Sequence, residues 1–378
     1  MSHKINFSEV LEPILNNKIL TLDKLLSLCR ISKTIKEIID KIQPFAKVCF
    51  YTNHIGVYIF KLLIISKRFN IIILSLNNFI KNDRLFYFNR ELNREQQQEL
   101  YRLIELISHC GNLKYLNLSN NDIGLADIDS LNSFSNVLAQ CQKLLELKLN
   151  NNFIRDEEII ILAPVLKHYR ELTIFAISNN QIGPNGAESI SRELSQCITL
   201  KRFDISNNQI GPDGAESISR VLSQWKELTH FAISNNQIGP DGAESISIVL
   251  PFCRTLTSLD LSKNNLGSDG AKCLSRVLPQ CEVLSELKLM YNKISGIGAK
   301  NLIEVLPQCI SLKRFDISYN KLYYQGGNSI FQVLSHCHKL IHLNISYNYI
   351  SSEIISIIYE KYSKNINLEY IHSQKLKW

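Results

Sequence analysis

No run of apolar residues in this chain of 378 reaches the roughly 20 needed to cross a bilayer. The most apolar stretch, IGVYIFKLLII at 55–65, is broken by Lys61 and is expected to be a buried element. The opening MSHKINFSEV has no apolar h-region and no small-residue cleavage site, so no cleaved secretion signal is expected. Basic residues are not bunched. The net charge of +7 is mild, and no Lys/Arg run has the density that nucleic-acid binding calls for, so no nucleic acid is expected among the partners. G-x-x-x-x-G-K-[ST] and G-x-S-x-G are both missing, which removes P-loop and nucleophile-elbow chemistry. With 45% apolar residues, a disordered chain is excluded too.

What is present is repetition. ISNNQIGPDGAESIS stands at 205–219 and again at 233–247, and 177–191 differs from it only at Asn185. From residue 113 the template L-x-x-L-x-L-x-x-N-x-I/L recurs, with its asparagine at Asn121, Asn152, Asn180, Asn208, Asn236, Asn264, Asn292, Asn320 and Asn348. The first gap is 31 residues and each later one 28. A tenth unit begins at Leu368 and Ile371, and a worn earlier one fits Phe69, Ile72, Leu74, Asn77 and Phe79. Within a unit, Phe203 and Ile205 alternate with Arg202 and Asp204 as a strand requires, the first pair inward and the second outward. Asn208 is placed to satisfy backbone groups as the chain leaves the strand. Gly211-Pro212-Asp213-Gly214 punctuates a turn, with Pro212 and Asp213 suited to a helix start. Ala215, Ile218, Val221, Leu222 and Trp225 follow at helical spacing. One unit is therefore strand, turn, helix and loop, and it must stack on neighbours to bury its apolar side.

This pattern resembles the leucine-rich repeat of the long, 28-residue kind found in ribonuclease inhibitor and in the sensor domains of NOD-like receptors. The resemblance covers 113–378 well and 50–112 poorly. It implies an α/β solenoid, a horseshoe with parallel strands on the concave face and helices on the convex face. The organisation expected is 1–48 as a helical region, 49–112 as a degenerate first repeat and connection, and 113–378 as the solenoid. Residues 6–42 show helical apolar spacing. Val10, Leu11, Ile14, Leu15, Leu25, Leu26, Leu28 and Ile31 within them are similar to an F-box, the module that docks on the Skp1 adaptor of cullin ubiquitin ligases. Phe7-Ser8 stands where that family has Leu-Pro, the link between its halves is longer, and Ile35 stands where an aromatic is usual. A plain helical cap for the solenoid accounts for the same spacing.

Cys110, Cys141, Cys197, Cys253, Cys281, Cys309 and Cys337 obey the repeat, with Tyr169 and Trp225 in the same slot of the other two units. A slot shared by Cys, Tyr and Trp is a packing position. Disulfides are not expected there, and a reducing compartment is. His336, Cys337, His338 and His342 are the best metal candidates. Cys337 belongs to the packing slot and His342 to an outward strand position, so neither a metal nor any other cofactor is expected. Asp204, Asp260 and Asp316 recur only in alternate units, too far apart for paired acid–base work, and the chain is not expected to be an enzyme.

Function is therefore sought where the repeat varies. The slot before the ladder asparagine reads Asn120, Asn151, Asn179, Asn207, Asn235, Lys263, Tyr291, Tyr319 and Tyr347. The C-terminal third adds Lys288, Met290, Arg314, Asp316, His342 and Asn344 at outward strand positions, a set rich in interface-forming types. With Tyr291, Tyr319 and Tyr347 these six make nine residues, the expected partner-binding surface. Two roles remain open: a non-enzymatic scaffold that holds a protein partner, or the substrate-recognition arm of a Skp1–cullin ligase. The chain is also similar to repeat proteins that intracellular bacteria export into host cells, which implies an effector acting in host cytoplasm. The GTPase activator of Ran shares the repeat type but would need a catalytic surface, and none is identifiable.

Overall fold

The computed structural model describes residues 46–49, 71–76 and 91–362. The F-box-like residues Val10 to Ile31 and the start of a tenth unit lie outside them. By its contacts the chain divides into two units, Met1–Ile154 with Val165–Ile174, and Arg155–Pro164 with Phe175–Trp378.

In the first unit β1 (Ala46–Cys49), β2 (Ile71–Ser75), β3 (Tyr115–Asn117) and β4 (Glu146–Lys148) pair in parallel, each with the next. β1 straddles the boundary drawn at residue 48. β2 coincides with the worn unit, and Leu74 and Leu76 are fully buried there. Helices α1 (Arg94–Ser108) and α2 (Ile128–Leu138) lie between the strands in sequence. α1 opens on a reciprocal cap. The Asn93 side chain accepts from the Gln96 amide, and the Gln96 side chain accepts from the Asn93 amide, each at 2.9 Å.

The second unit opens with α3 (Asp156–Leu162), and β5 (Ile174–Ala176) stands where the two units divide. Then follow α4 (Pro184–Leu194), β6 (Arg202–Asp204), α5 (Gly211–Leu222), β7 (His230–Ala232), α6 (Gly239–Val249), β8 (Ser258–Asp260), α7 (Gly267–Val277), β9 (Glu286–Lys288), α8 (Gly296–Val305), β10 (Arg314–Asp316), α9 (Tyr323–Val333), β11 (His342–Asn344) and α10 (Ser352–Tyr362). β6 to β11 run parallel, every strand beside the next, with residues 28 apart directly opposed. This is an α/β solenoid of strand–helix units, as the repeat predicts.

The middle residue of each strand points into the core. Phe203, Phe231, Leu259, Leu287, Phe315 and Leu343 are all buried, as are Ala215, Ile218 and Leu222 on the facing helix. Both glycines of the G-P-D-G turn have a physical reason. Gly211 sits at φ +63°, where a side chain is strained. A Cβ on Gly214 would stand 2.6 Å from Ile210 and 3.1 Å from the Ala187 methyl of the preceding helix. The earliest copy is built differently. Asp156 Oδ1 accepts from the Gly183 and Gly186 amides at 2.6 and 3.0 Å, so the first residue of α3 caps the start of α4. Asp156→Ala is expected to lower the stability of this unit by about 1 kcal/mol. Urea unfolding checks it, and an unchanged midpoint would remove the capping role.

The periodic cysteines occupy a slot under the helix ends. Thiols of Cys253, Cys281 and Cys309 donate to the carbonyls of Val249, Val277 and Val305, each four residues back, at 3.4–3.5 Å. Tyr169 Oη and Trp225 Nε1 reach farther, to Leu138 and Leu194 carbonyls at 2.8 and 2.9 Å. The slot thus supplies a donor to the carbonyl-rich end of a helix. Burial pushes the Cys110 and Cys141 thiols up to about 12, from an ordinary 9.0. A group whose folded pKa is raised stabilises the fold below its unfolded pKa and loses that contribution as pH climbs through the folded one. Stability is therefore expected to hold up to pH 9.0 and to fall between 9.0 and about 12, less steeply in Cys141→Ala. Equal unfolding midpoints at the two ends of that window would contradict it.

Candidate functional site

The outward strand positions of the second unit form columns. The first reads Arg202, His230, Ser258, Glu286, Arg314 and His342, and the second reads Asp204, Ala232, Asp260, Lys288, Asp316 and Asn344. Burial works against the charge of Glu286, but the Ser258 hydroxyl at 2.8 Å, Lys288 at 3.5 Å and Arg314 outweigh it and hold the carboxyl below its usual range. Burial, then Arg202, lowers the pKa of His230.

The recurring aspartates have a local task that was missed in the sequence. Asp204, Asp260 and Asp316 each accept, at 2.9–3.0 Å, from the backbone amide of the serine two residues on. Asn344 makes the same bond to Ser346 at 3.1 Å. These side chains close the strand end as an Asx turn does, and the D-x-S spacing was the available signal. Asp316 Oδ2 also accepts from Asn344 Nδ2 at 3.0 Å, tying two of the expected site residues together.

The ladder asparagines are buried and do what their spacing suggests. Asn236 Nδ2 donates to the carbonyls of Ile205, Ile233 and Ser234 at 2.9–3.1 Å, and the Asn236 amide donates to Asn264 Oδ1 at 2.8 Å. Asn264, Asn292 and Asn320 hand on the same amide bond to the next ladder residue at 2.8–2.9 Å.

The slot just before each ladder asparagine has an unforeseen property. Asn120, Asn151, Asn179, Asn207 and Asn235 are all left-handed, with φ between 54° and 60°. Asparagine tolerates that conformation, whereas a bulky residue pays a steric penalty of roughly 1 kcal/mol. Tyr291, Tyr319 and Tyr347 nevertheless adopt it at φ 57°, 53° and 55°. Their rings stack, with centroids 4.1 Å apart in both pairs and interplanar angles of 14° and 16°. Tyr291 is 46% exposed, and the other two are half-buried. Partial burial and hydrogen bonding with the Tyr347 and Tyr291 hydroxyls raise the pKa of Tyr319.

A second stack was not foreseen. Tyr323, left-handed at φ 48°, occupies the place of Gly211, Gly239 and Gly267 in other repeats, and its ring lies 5.5 Å from that of Tyr349. Of the remaining expected residues, Lys288, Met290, His342 and Asn344 are half-buried and Arg314 is exposed on the same side. His336 and His338 are exposed, while Cys337 is buried and its thiol donates to Val333. Among the described residues no group of three His, Cys, Asp or Glu is placed to hold a metal, and no helix is long and apolar enough to cross a membrane.

A protein-family model described as Leucine Rich repeat matches residues 109–131, 170–191, 196–219, 227–247, 252–275, 280–302 and 336–356. Among the units it passes over is the one holding Tyr319 and Tyr323, where the glycine of the turn is replaced. No curated protein matches the chain. Solved structures that resemble it, each at 18% identity, include actin-binding site 2 of leiomodin-1 (TM-score 0.35, 40% of this chain and 88% of that one). An internalin from Listeria monocytogenes resembles it at TM-score 0.42, over 70% of this chain and 83% of that one. The leucine-rich-repeat ectodomain of the Arabidopsis receptor kinase HAESA, solved with a peptide hormone, resembles it at 0.41, over 65% and 36%. At these scores the likenesses carry no argument about function.

Proposed function

Since the chain is a leucine-rich-repeat protein, we propose that it is a non-enzymatic scaffold that binds a protein partner on the strand side of its second unit, centred on Tyr291, Tyr319 and Tyr347. One observation carries this reading: three aromatic rings are held in a left-handed slot that the middle repeats fill with asparagine. Their hydroxyls and exposed edges make a rigid amphipathic surface with few torsions left to freeze on binding. Lys288, Met290, Arg314, Asp316, His342 and Asn344 extend the surface along the strands.

The repeat supplies its own control. Substituting all three tyrosines by Asn puts the residue of the middle repeats into a backbone that prefers it. Relief of strain and loss of stacking are each about 1 kcal/mol per site and of opposite sign, so stability should change little. Proteins retained from a eukaryotic lysate by the wild type and lost by this variant would then be purified. Their affinity for the variant is expected to be lower by about 1–3 kcal/mol. Gly at 179, 207 and 235 should leave it unchanged. A partner released by the glycine variant and kept by the tyrosine variant would put the surface elsewhere.

A further inference from the structure

The segments that carry the strained tyrosines are also chemically one-sided. Residues 289–295, 317–324 and 345–351 contain no Asp or Glu, but they contain Lys293 and Lys321, each directly after a ladder asparagine. Lys263 occupies the tyrosine slot one repeat earlier, with its ammonium 5.8 Å from the Tyr291 ring centroid. All three lysines are exposed, and among the described residues no carboxylate comes within ion-pair distance of them. The nearest strand carboxylates in sequence, Asp260 before Lys263 and Asp316 before Lys321, already accept from the amides of Ser262 and Ser318, and Asp316 also from Asn344. A row of phenolic hydroxyls therefore runs among three uncompensated cations, and both kinds of group can donate to an anion.

We propose that this rim receives an acidic segment of the protein partner, its carboxylates taking hydrogen bonds from Tyr291, Tyr319 and Tyr347 and charge from Lys263, Lys293 and Lys321. The inference rests on the reading of the tyrosines as a protein-binding surface and names the chemistry of what they bind. A single-stranded nucleic acid would supply anions too, but it gains most of its affinity by stacking bases on open aromatic faces. Here the rings already cover one another at 4.1 Å, and Lys263 sits over the outer face of Tyr291. The faces of Tyr291 and Tyr319 are thus closed to a base, and the edges and hydroxyls of the row suit carboxylates better than bases.

The test is a selection of short random peptides displayed on phage against the full chain, with the Tyr→Asn triple variant as the subtracted background. Peptides that depend on the tyrosines are expected to be rich in Asp and Glu. Their affinity should fall about tenfold in Lys263→Gln/Lys293→Gln/Lys321→Gln, and similarly on raising salt, because exposed charge pairs are screened. Circular-dichroism melts confirm that both variants fold. Tyrosine-dependent peptides that are neutral or basic, or acidic ones that bind the lysine variant unchanged, overturn the acidic partner and leave the protein-binding surface standing. Selection of no tyrosine-dependent peptide overturns both. Tyrosine-dependent binding of oligothymidylate, tighter than that of any selected peptide, overturns the choice of protein over nucleic acid.

Discussion

Phe203→Ala is expected to cost about 4 kcal/mol, within the range for removing a fully buried phenylalanine. The ring is 1% exposed and lies between those of Phe175 and Phe231, at 5.8 and 5.9 Å and nearly parallel to both. It also meets Trp225 edge-on at 5.3 Å. Truncation opens a cavity and removes three ring contacts together. Phe315 is the comparison, equally buried but opposed in register by Leu287 and Leu343. Phe315→Ala loses the same transfer and cavity contributions without an aromatic neighbour across the strands, so it should cost about 1 kcal/mol less. Guanidinium unfolding followed by circular dichroism measures both. A cost for Phe203→Ala below about 2 kcal/mol would mean the site collapses around the gap and the stack is not a rigid part of the core.

Asn236→Leu is expected to cost about 3 kcal/mol. The carbonyls of Ile205, Ile233 and Ser234 lose their Asn236 donor, and an unpaired buried polar group costs about 1–3 kcal/mol. The loss spans two repeats, because Ile205 belongs to the unit before. The neighbouring slot is the control, and its backbone dictates which substitution is fair. Asn235 is exposed and left-handed at φ 54°, so Ala there would add strain unrelated to the ladder. Asn235→Gly avoids it and should change stability by no more than a few tenths of a kcal/mol. Equal unfolding midpoints for Asn236→Leu and Asn235→Gly would refute the assignment of one to the interior and the other to solvent.

The strand register was legible because a buried face needs the same apolar residues every 28 positions, and Phe203, Ile205 and Asn208 declare it without ambiguity. The direction of each ladder bond was not, since spacing alone cannot say whether an amide donates within its own unit or to the unit before. Asn236 does both. The left-handed slot was announced by five asparagines in a row, yet the tyrosines that follow concealed it, because aromatic residues ordinarily avoid that backbone. Tyr323 escaped notice for a related reason. It aligns with turn glycines, and a comparison of strand positions never reaches it. β1 was invisible because its four residues, AKVC, carry neither the alternation nor the asparagine of the template. The nine expected partner-binding residues are brought to one side of the second unit, but their number overstates what is distinctive. The stacked tyrosines stand apart by geometry, whereas Asp316 and Asn344 are partly occupied with closing strand ends.

The ladder bonds have a consequence for how such a chain can change length. In the middle of the second unit each repeat donates the same backbone amide to its successor and offers its predecessor the same asparagine oxygen, and ISNNQIGPDGAESIS is common to two repeats without alteration. A stretch of 28 residues such as 205–232 can be excised or doubled in frame, and every junction it makes is one already made elsewhere. The tyrosine end is not interchangeable in this way, for its three-ring stack exists only because three consecutive repeats agree. Length and recognition are thus separable properties of one array: the bland repeats set how many strands lie between Arg202 and Tyr291, and the tyrosines are untouched by that number.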